Sequence, residues 1–216
     1  MRLWLVVPVK SLRDGKSRLA PALSVAERRA FNEWLLVRTL RQAALFPGLE
    51  RTLLVSACEE ACACASAQGA QVLKERTPGG LNEALRQAQR SLSELGATRM
   101  LAVSSDLPLL RAQDLRELAG AVSAHTIALA PDRDRHGTNG LCLDASVPFD
   151  FAFGPNSFAR HLNGTARLGL DPAVVERAGL AFDVDTPDHL RELHAWHGHS
   201  SPGSATRRSS FPARTA

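Results

Sequence analysis

Short apolar runs alternate along the chain with longer segments in which apolar residues recur at helical spacing. This alternation is typical of βαβ units, which build a largely parallel sheet covered by helices. The pattern therefore predicts an α/β protein. The predicted strands are residues 3–9, 52–56, 71–73, 100–104, 126–130 and 140–143.

The longer segments predict helices over residues 59–67, 81–95, 112–122 and 157–168. A further helix begins at Ser24, which forms a capping-box pair with Glu27 ahead of residues at helical spacing. Asp114 is the expected cap of the helix over 112–122, and the last helix starts near Thr186.

The C-terminal part of the chain has a different composition. From His197 onward it is rich in His, Gly, Ser, Pro, Thr and Arg, and Phe211 is its only large apolar residue. Such a segment buries too little surface to offset chain entropy. The sequence therefore predicts one domain over residues 1–196 and a disordered tail over residues 197–216.

The formal charge of +4 is distributed unevenly. Residues 1–51 carry +6, residues 52–196 carry −5 and residues 197–216 carry +3. Aromatic residues make up 5% of the chain, with no Tyr and no basic helix stripe, which argues against a nucleic-acid partner. The apolar run over 3–9 is too short to span a membrane and has no cleavage site after it. We therefore expect a cytoplasmic protein with no membrane partner.

Three of the four cysteines, Cys58, Cys62 and Cys64, lie close together, and Cys142 is distant. This spacing matches neither paired zinc ligands nor a disulfide framework. We expect the cysteines to act as small buried apolar residues.

A basic segment follows the first predicted strand. It holds Lys10, Lys16 and Arg18, and the whole chain has only three lysines. A loop after a strand lies at the carboxyl edge of an α/β sheet, where ligands usually bind. These side chains are therefore expected to face an anion, although the spacing is not that of a phosphate-binding P-loop. A solvated basic loop is the alternative.

Acidic residues stand at two further positions of this kind. Asp106 closes a buried predicted strand, and Asp183 and Asp185 alternate within a short predicted strand just before the last helix. Carboxylates that meet at one site are ligands for Mg²⁺, which takes one or two of them together with phosphate oxygens and water. The alternative roles are an ordinary turn at Asp106 and favourable helix-dipole interactions at the later acids.

Glycines and small polar residues mark the remaining candidate segments. Thr138 leads into a strand, and Gly154 and Ser157 open a helix whose free amides would suit a phosphate or carboxylate. The same residues would also serve as an ordinary turn and cap. His161 lies one turn further along, and a surface position for it is favoured over ligand contact. Gly80 follows a Pro-Gly turn and would let a flat base approach the backbone.

Taken in order, seven segments resemble the guanylyltransferases of coenzyme F420 biosynthesis, which act on 2-phospho-L-lactate or phosphoenolpyruvate. The resemblance runs from Leu3 to about Leu193. The segments are VPVKxLxxxKSRL from Val7, LSxxER from Leu23, GLNxAL from Gly80, SDLPLL from Ser105, APDRxxxGTN from Ala130, FGxxSFxxH from Phe153 and DxDTPxxL from Asp183.

The resemblance implies a Rossmann-like three-layer α/β/α sandwich with a mixed, mostly parallel sheet. It implies transfer of GMP from GTP, with Mg²⁺, to the phosphate of 2-phospho-L-lactate, phosphoenolpyruvate or 3-phospho-D-glycerate, with release of pyrophosphate. A downstream transferase would then move the phospho-acyl group to the deazaflavin precursor. The oligomeric state, a homodimer included, stays open.

The resemblance also assigns roles to matching positions. The metal ligands it implies are Asp106 and Asp185. The residues for the acceptor acid are Thr138, Gly154 and Ser157. The residues for the nucleotide are Lys10, Lys16, Ser17 and Arg18 at the triphosphate and Gly80 and Asn82 at guanine. Lys16, Arg18 and Asp106 carry the catalytic roles. The chain departs from the family at Arg135 and His136, where relatives often have Gly-Thr, and at Ser105, where they often have Ala.

Other functions fit parts of the same pattern. A nucleotidylyltransferase for another acceptor, of the molybdenum-cofactor or sugar-phosphate type, would share the fold and the acids. A catalytically silent nucleotide-binding protein is a further alternative, but it is disfavoured because both acidic motifs and the lysine-containing loop are intact. The three candidate acids differ by groups worth only about 1–3 kcal/mol in a pocket, so the sequence does not select among them.

Overall fold

The structure, a computed structural model, describes residues 2–75 and 79–198. The strands within these residues are β1 (Leu3–Pro8), β2 (Thr52–Ser56), β3 (Gln71–Lys74), β4 (Arg99–Val103), β5 (Thr126–Pro131), β6 (Thr138–Asp144) and β7 (Asp171–Val174). They form one sheet in the order β3-β2-β1-β4-β6-β5-β7. Strand β6 is antiparallel to β4 and β5, and the other described pairs are parallel. The expected mixed, mostly parallel sheet is confirmed.

Helices cover both faces of this sheet. Those described are α1 (Val25–Leu45), α2 (Glu59–Ala67), α3 (Leu81–Glu94), α4 (Ala112–Gly120), α5 (Ser157–Arg167), α6 (Ala178–Ala181) and α7 (Pro187–Gly198). The alternating side chains of β1 show the two layers. Leu5 and Val7 belong to a buried core with residues of α1, α2 and α4, whereas Val6 belongs to the opposite core with α3 and α5. The three-layer sandwich is therefore confirmed.

A third, smaller buried cluster joins the segment after β1 to the C-terminal part of the domain. It contains Leu19, Phe31 of α1 and Val184, all fully buried. Leu19 follows Lys16 by three residues, and Val184 lies between Asp183 and Asp185. The cluster therefore holds together the two segments that carry the candidate charged residues.

Strand order places the candidate residues at one edge. Strands β2 and β3 lie on one side of β1, and β4 lies on the other, so the order reverses between β1 and β4. Ligands of open α/β sheets bind in the crevice outside the carboxyl ends at such a point. Because β6 runs the opposite way, its first residue, Thr138, comes to the same edge as the end of β4.

Several local predictions are confirmed. Helix α2 and strand β2 have the predicted bounds, and α1 begins with the predicted capping box. Ser24 Oγ accepts from the Glu27 amide at 3.3 Å, and the Glu27 carboxylate accepts from the Ser24 amide at 2.8 Å. These two bonds satisfy amides that the helix itself cannot pair.

Other local predictions are wrong. Strand β7 and helix α6 were not predicted, and Asp183 and Asp185 lie in an irregular segment rather than a strand. Asp114 is the third residue of α4, not its N-cap, although its carboxylate accepts from the Arg111 amide at 2.9 Å. Helix α7 continues to Gly198, two residues into the predicted tail; residues 199–216 lie outside the described part, so the disorder of the tail stays a prediction.

The cysteines are only partly as expected. Cys142 is buried, which raises the pKa of its thiol to about 12. Cys58, Cys62 and Cys64 are half-buried against the core that includes α2, so they are more exposed than predicted. Among the described helices, none combines the length and apolar character needed to cross a membrane.

Candidate active site

Three carboxylates meet at the edge of the sheet where β4 ends. Asp106 follows β4, and Asp183 and Asp185 lie between α6 and α7. One oxygen of each lies within 4.8 Å of the others. The Val184 amide donates to the Asp106 carbonyl at 3.4 Å and so links the two segments. Asp183 and Asp185 therefore reach the same site, as predicted, although the segment that holds them is not a strand.

Lys16 places its ammonium between two of these carboxylates. Nζ donates to Asp106 Oδ2 and to Asp185 Oδ1, both at 2.9 Å, and 7% of the Lys16 side chain is exposed. Its backbone is left-handed, with φ 59° and ψ 42°, which costs a non-glycine residue about 1–2 kcal/mol. Backbone strain of this kind persists where the surrounding structure enforces it, as it does at many functional sites.

The loop that carries Lys16 packs closely against α1, and Gly15, the residue before Lys16, makes this possible. Asn32 of α1 donates from Nδ2 to the Leu12 carbonyl at 2.9 Å. A Cβ on Gly15 would lie 2.8 Å from that same Nδ2, which is closer than carbon atoms approach nitrogen. Glycine at this position therefore allows the loop to pack on α1 and to direct Lys16 inward.

The charged groups of this cluster shift one another's pKa values. Burial opposes the charged form of Lys16, but Asp106 and Asp185 outweigh burial and raise the pKa of the ammonium. Burial also opposes the charged form of Asp106, but Lys16 and a 2.5 Å hydrogen bond from Ser104 Oγ lower the pKa of that carboxyl. Burial, Asp106 and Asp185 together raise the pKa of Asp183. The cluster therefore combines a charged ion pair with a carboxyl that holds a proton more readily.

A cavity of about 740 Å³ opens on one side of the carboxylates. The loop after β1 supplies Lys10 and Lys16, β2 supplies Val55, and the start of α3 supplies Gly80 and Leu81. Its remaining lining residues are Pro8, Val9, Ser11, Leu12, Asp14, Gly15, Asn32, Leu35, Ala57, Glu75, Ala84, Ser104, Ser105, Asp106 and Asp185. We call it the first cavity.

A second cavity, of about 540 Å³, lies on the other side, toward β6 and α5. Thr138, Gly154 and Ser157, the three residues predicted to bind the acceptor acid, all line it, as does His136. The residues that border both cavities are Pro8, Leu81, Ser104, Asp106 and Asp185. The two aspartates predicted to bind metal thus form part of the shared wall.

His161 orients the hydroxyl group of Thr138. The Ala152 amide donates to His161 Nε2 at 3.0 Å, so Nε2 carries no proton and Nδ1 does. Nδ1 lies 2.9 Å from Thr138 Oγ1, which therefore accepts and keeps its own hydrogen for another partner. Burial is the main cause that lowers the pKa of His161, to about 4, so the ring stays neutral. The predicted surface position of His161 is wrong, because its ring is completely buried.

The loop before Thr138 is fixed by a carboxylate. Asp132 accepts from the His136 amide at 2.8 Å and from the Gly137 amide at 2.6 Å. The first amides of α5 are less available than predicted. The Ser157 amide donates to the Gly154 carbonyl at 3.1 Å, and the Phe158 amide donates to the His136 carbonyl at 3.1 Å. The helix start is therefore used partly to hold the second cavity in shape.

Some predicted nucleotide residues do not reach the first cavity. Asn82 donates from Nδ2 to the Phe153 carbonyl at 3.2 Å and accepts from the Phe153 amide at 2.7 Å, so its side chain joins α3 to the acceptor side. Ser17 is exposed at the start of a short 3₁₀ turn over Ser17–Leu19. Arg18 lines the second cavity instead of the first. Lys10, Lys16 and Gly80 do line the first.

Sequence reasoning missed three residues of the site. Ser104 binds Asp106, Asn139 donates to Asp183 Oδ1 at 3.3 Å, and Glu75 lines the first cavity. Ser104 and Glu75 each stand at or just after the end of a predicted strand, so the rule that ligands bind at carboxyl ends could have drawn attention to them. Asn139 offers no comparable signal.

The profile of the family described as "Guanylyl transferase CofC like" matches residues 3–207. The phosphoenolpyruvate guanylyltransferase of Sphaerobacter thermophilus is 41% identical over 204 residues, which are 93% of this chain and 98% of that protein. The phosphoenolpyruvate guanylyltransferase of Chloroflexus aggregans is 36% identical over 197 residues, which are 89% of this chain and 97% of that protein. The match thus extends over nearly the full length of both relatives.

Solved structures show the same fold at much lower sequence identity. A nucleotidyl transferase from Methanothermobacter thermautotrophicus has a TM-score of 0.67 at 15% identity, over 93% of this chain and 99% of that chain. Glucosyl-3-phosphoglycerate synthase from Mycobacterium tuberculosis, in complex with Mg²⁺ and uridine diphosphate, has a TM-score of 0.58 at 16% identity, over 89% and 74%. With its family profile matched over most of the chain, this protein belongs to the CofC-like guanylyltransferase family.

Proposed function

We propose that the protein transfers GMP from GTP to the phosphate group of phosphoenolpyruvate or a closely similar three-carbon acid. The observation that carries the proposal is the shared wall, because Asp106 and Asp185 border both cavities. A group-transfer enzyme needs such a place, where the phosphorus of the donor and the oxygen of the acceptor can meet. The relatives named phosphoenolpyruvate guanylyltransferases support this donor and this acceptor.

On this proposal GTP occupies the first cavity. Lys10 and Lys16 supply positive charge for the triphosphate, and Ser17 directly follows Lys16. Gly80 has φ 81° and nothing within 4 Å of where a Cβ would stand, so the backbone there is open to a flat base. Asn82 acts indirectly, because its amide group is bound to Phe153.

The chemistry of the acid cluster fits Mg²⁺. Asp106, Asp183 and Asp185 offer oxygen ligands only, and Mg²⁺ prefers one or two carboxylates together with phosphate oxygens. We assign Asp106 and Asp185 as its ligands. When bound, the ion would supply positive charge to the nucleotide phosphates. Lys16 is paired with the same two carboxylates in this structure, and on this proposal it shares in binding those phosphates.

On this proposal the acceptor acid occupies the second cavity. The hydroxyl groups of Thr138 and Ser157 and the exposed backbone of Gly154 offer hydrogen bonds to an anion, and Arg18 offers charge. His161 directs the Thr138 hydroxyl by accepting from Ala152 and donating to Oγ1. The cavity thus offers groups that can bind both the carboxylate and the phosphate of the acid.

The reaction itself needs little acid–base help. A phosphate monoester has its second pKa near about 6, so the acceptor already bears an anionic oxygen at neutral pH. That oxygen attacks the α-phosphorus of GTP, a new P–O bond forms, and the bond from the α-phosphorus to the bridging oxygen breaks as pyrophosphate leaves. Lys16 stabilises charge on the transferring and leaving phosphates, which is the larger part of catalysis for such reactions.

The product would be guanosine joined through a diphosphate to the three-carbon acid. Such a mixed diphosphate is an activated group donor, so a downstream transferase would consume it, as coenzyme F420 biosynthesis requires. The experiment incubates the protein with GTP, Mg²⁺ and one acid at a time: phosphoenolpyruvate, 2-phospho-L-lactate or 3-phospho-D-glycerate. Pyrophosphate release and the product mass are measured, with the downstream transferase and deazaflavin acceptor added to trap unstable adduct.

We expect a GMP adduct with phosphoenolpyruvate that is abolished by EDTA and restored by Mg²⁺. Replacing GTP by CTP or UTP should remove the product, which would exclude a cytidylyl- or uridylyltransferase. Binding of GTP without adduct formation from any of the three acids would contradict the proposal and favour a silent nucleotide-binding protein.

A further inference from the structure

One carboxylate in the first cavity takes no part in the acid cluster. Glu75 follows β3, and its backbone amide extends the strand pairing by donating to the Ser56 carbonyl at 3.0 Å. The side chain lines the first cavity, yet its Oε1 is buried from solvent and has no hydrogen-bond partner within residues 2–75 and 79–198. A buried carboxylate oxygen without a donor is rare in folded proteins, so this carboxylate has unused hydrogen-bonding capacity at the edge of the first cavity, and a small rotation of the side chain would present it to a ligand there.

The position of Glu75 suits the base end of a nucleotide. Glu75 follows β3 and Asp106 follows β4, and β2 and β1 lie between those strands in the sheet. Three steps of strand spacing separate them by about 14 Å. That distance is comparable with the span from the phosphates of a nucleoside triphosphate to the far edge of its base. Triphosphate beside Lys16 and Asp106 would therefore place the base near Glu75.

The surroundings of Glu75 also suit a flat base. The lining residues contributed by β2, by the segment after it and by the start of α3 are Val55, Ala57, Gly80, Leu81 and Ala84. All are apolar or lack a side chain, so among the lining residues at the ends of β2 and β3 and at the start of α3, Glu75 supplies the polar side chain that can tell bases apart. Small-molecule sites commonly pair an apolar lining with a few polar groups that give specificity.

We propose that Glu75 selects guanine by accepting hydrogen bonds from its N1–H and 2-amino groups. An ionised carboxylate has two acceptor oxygens and no donor, which matches two neighbouring donors on one edge. On the corresponding edge adenine presents a ring nitrogen that accepts hydrogen bonds, and cytosine likewise presents acceptors. With either base an acceptor would face the carboxylate of Glu75, which is itself an acceptor, and no hydrogen bond would form. A site built to hydrogen-bond its substrate rejects analogues that lack the donor far more strongly than an apolar pocket does.

The proposal rests on GTP being the donor, and a binding measurement separates the two ideas. Equilibrium dissociation constants are measured for GTP, ITP, which lacks the 2-amino group, and ATP, without acceptor. The proteins are the unmodified chain, Glu75→Gln and the control Glu59→Gln. Glu59 is also acidic but is exposed and bound to Lys74 at 2.7 Å. We expect the unmodified chain to bind GTP at least tenfold more tightly than ITP and at least a hundredfold more tightly than ATP.

In Glu75→Gln the affinity for GTP should fall at least tenfold and the gap between GTP and ITP should shrink, while ATP binding stays within about threefold; Glu59→Gln should match the unmodified chain. GMP transfer by the unmodified chain together with unchanged selectivity in Glu75→Gln would overturn the role of Glu75 alone. Equal binding of GTP and ATP by the unmodified chain would overturn both the guanine donor and this inference. Because glutamine has the same shape and no charge, thermal unfolding of the variant at an unchanged or higher temperature shows that it folds.

Discussion

The two cavities meet at the same carboxylates but hold their polar groups in different ways. In the first, the buried Lys16 is paired with Asp106 and Asp185, and Glu75 has an oxygen without a partner in the described chain. In the second, hydrogen bonds within the protein already fix the groups that face the ligand, as His161 does for Thr138 and Asp132 does for the loop before it. The first cavity therefore has charges that can change partners, and the second is arranged before any ligand arrives.

This difference has a physical reason. A triphosphate with its metal brings large charges, and the free energy of desolvating protein charges is recovered only if they can re-pair with those of the ligand. A small acid has few atoms with which to bind, so ordering of the site before binding preserves more of its affinity. The contrast predicts that substitutions in the two cavities have separable effects.

The largest effect is expected at the shared wall. Asp106→Asn removes one partner of Lys16 and one proposed metal ligand while keeping the side-chain shape. We expect kcat for pyrophosphate release to fall at least about 1,000-fold, because charge stabilisation of the transferring phosphate is the main catalytic contribution. The unfolding free energy should change little in comparison. Steady-state kinetics with GTP, phosphoenolpyruvate and Mg²⁺, together with urea unfolding, measure both quantities.

The control for this substitution is Asp150→Asn. Asp150 is an aspartate with 80% of its side chain exposed, and it contacts Arg86 at 3.4 Å. Its substitution should leave kcat within about twofold, since exposed ion pairs contribute little. A rate for Asp106→Asn near that of the unmodified protein would remove Asp106 from the catalytic machinery and would leave the two cavities without a common reacting point.

The next largest effect is expected at His161, beside the second cavity, and concerns how the free energy of unfolding depends on pH. The pKa of His161 lies at about 4 in the folded protein, below its ordinary value, so the unfolded chain binds the proton more tightly. The free energy of unfolding should therefore decrease as the pH falls from about 6.5 toward 4, by up to about 3 kcal/mol in total. In His161→Gln this pH-dependent part should disappear.

Urea unfolding at pH 7.5 and 4.5 tests the role of His161. The relevant quantity is the difference between the two proteins in their loss of unfolding free energy, since carboxyl groups add their own dependence at lower pH. The exposed His125 provides the control, and His125→Gln should lose as much stability on acidification as the unmodified protein. Equal losses in His161→Gln and the unmodified protein would contradict the neutral buried ring.

A smaller and more selective effect is expected at Thr138. Thr138→Val keeps the shape of the side chain but removes the hydroxyl that His161 orients. We expect KM for phosphoenolpyruvate to rise about 10- to 50-fold, the size of a lost hydrogen bond to a charged group, and KM for GTP to change less than about twofold. Steady-state kinetics with each substrate varied in turn measure the split, and Thr138→Ser should recover most of the loss. Parallel increases in both KM values would show that the cavities are not separate.

Much of this fold follows directly from the sequence pattern. Strands β1, β2, β4 and β5 are mostly buried apolar runs, and the bounds of β1 to β6 differ from the predicted ones by at most two residues. Strand β7 (Asp171–Val174) was missed because it is an edge strand with mostly exposed side chains and a proline at position 172, so it lacks both the apolar run and the alternation that identify strands.

The candidate site could be predicted only in part. Asp106 and Lys16 stand after strands that end at one edge, and this position alone indicates a ligand site. The hydrogen bond between Thr138 and His161 depends on how β6 packs against α5, and no local sequence pattern predicts that packing. Arg18 shows the same limit, since it stands only two positions after Lys16 and yet borders the other cavity.

The smallest effect is expected at Lys10, the cation of the first cavity that is most open to solvent. Lys10 lines that cavity, is exposed, and forms no ion pair with any residue among 2–75 and 79–198, in contrast to the buried Lys16. Its contribution to binding is therefore a screened attraction for phosphate, and Lys10→Met should raise KM for GTP about three- to fivefold, less at high salt. Lys74→Met, which removes an exposed lysine bound to Glu59 outside both cavities, is the control and should change neither KM. A rise in KM for phosphoenolpyruvate instead of GTP would place the donor in the second cavity and reverse the assignment of the two sides.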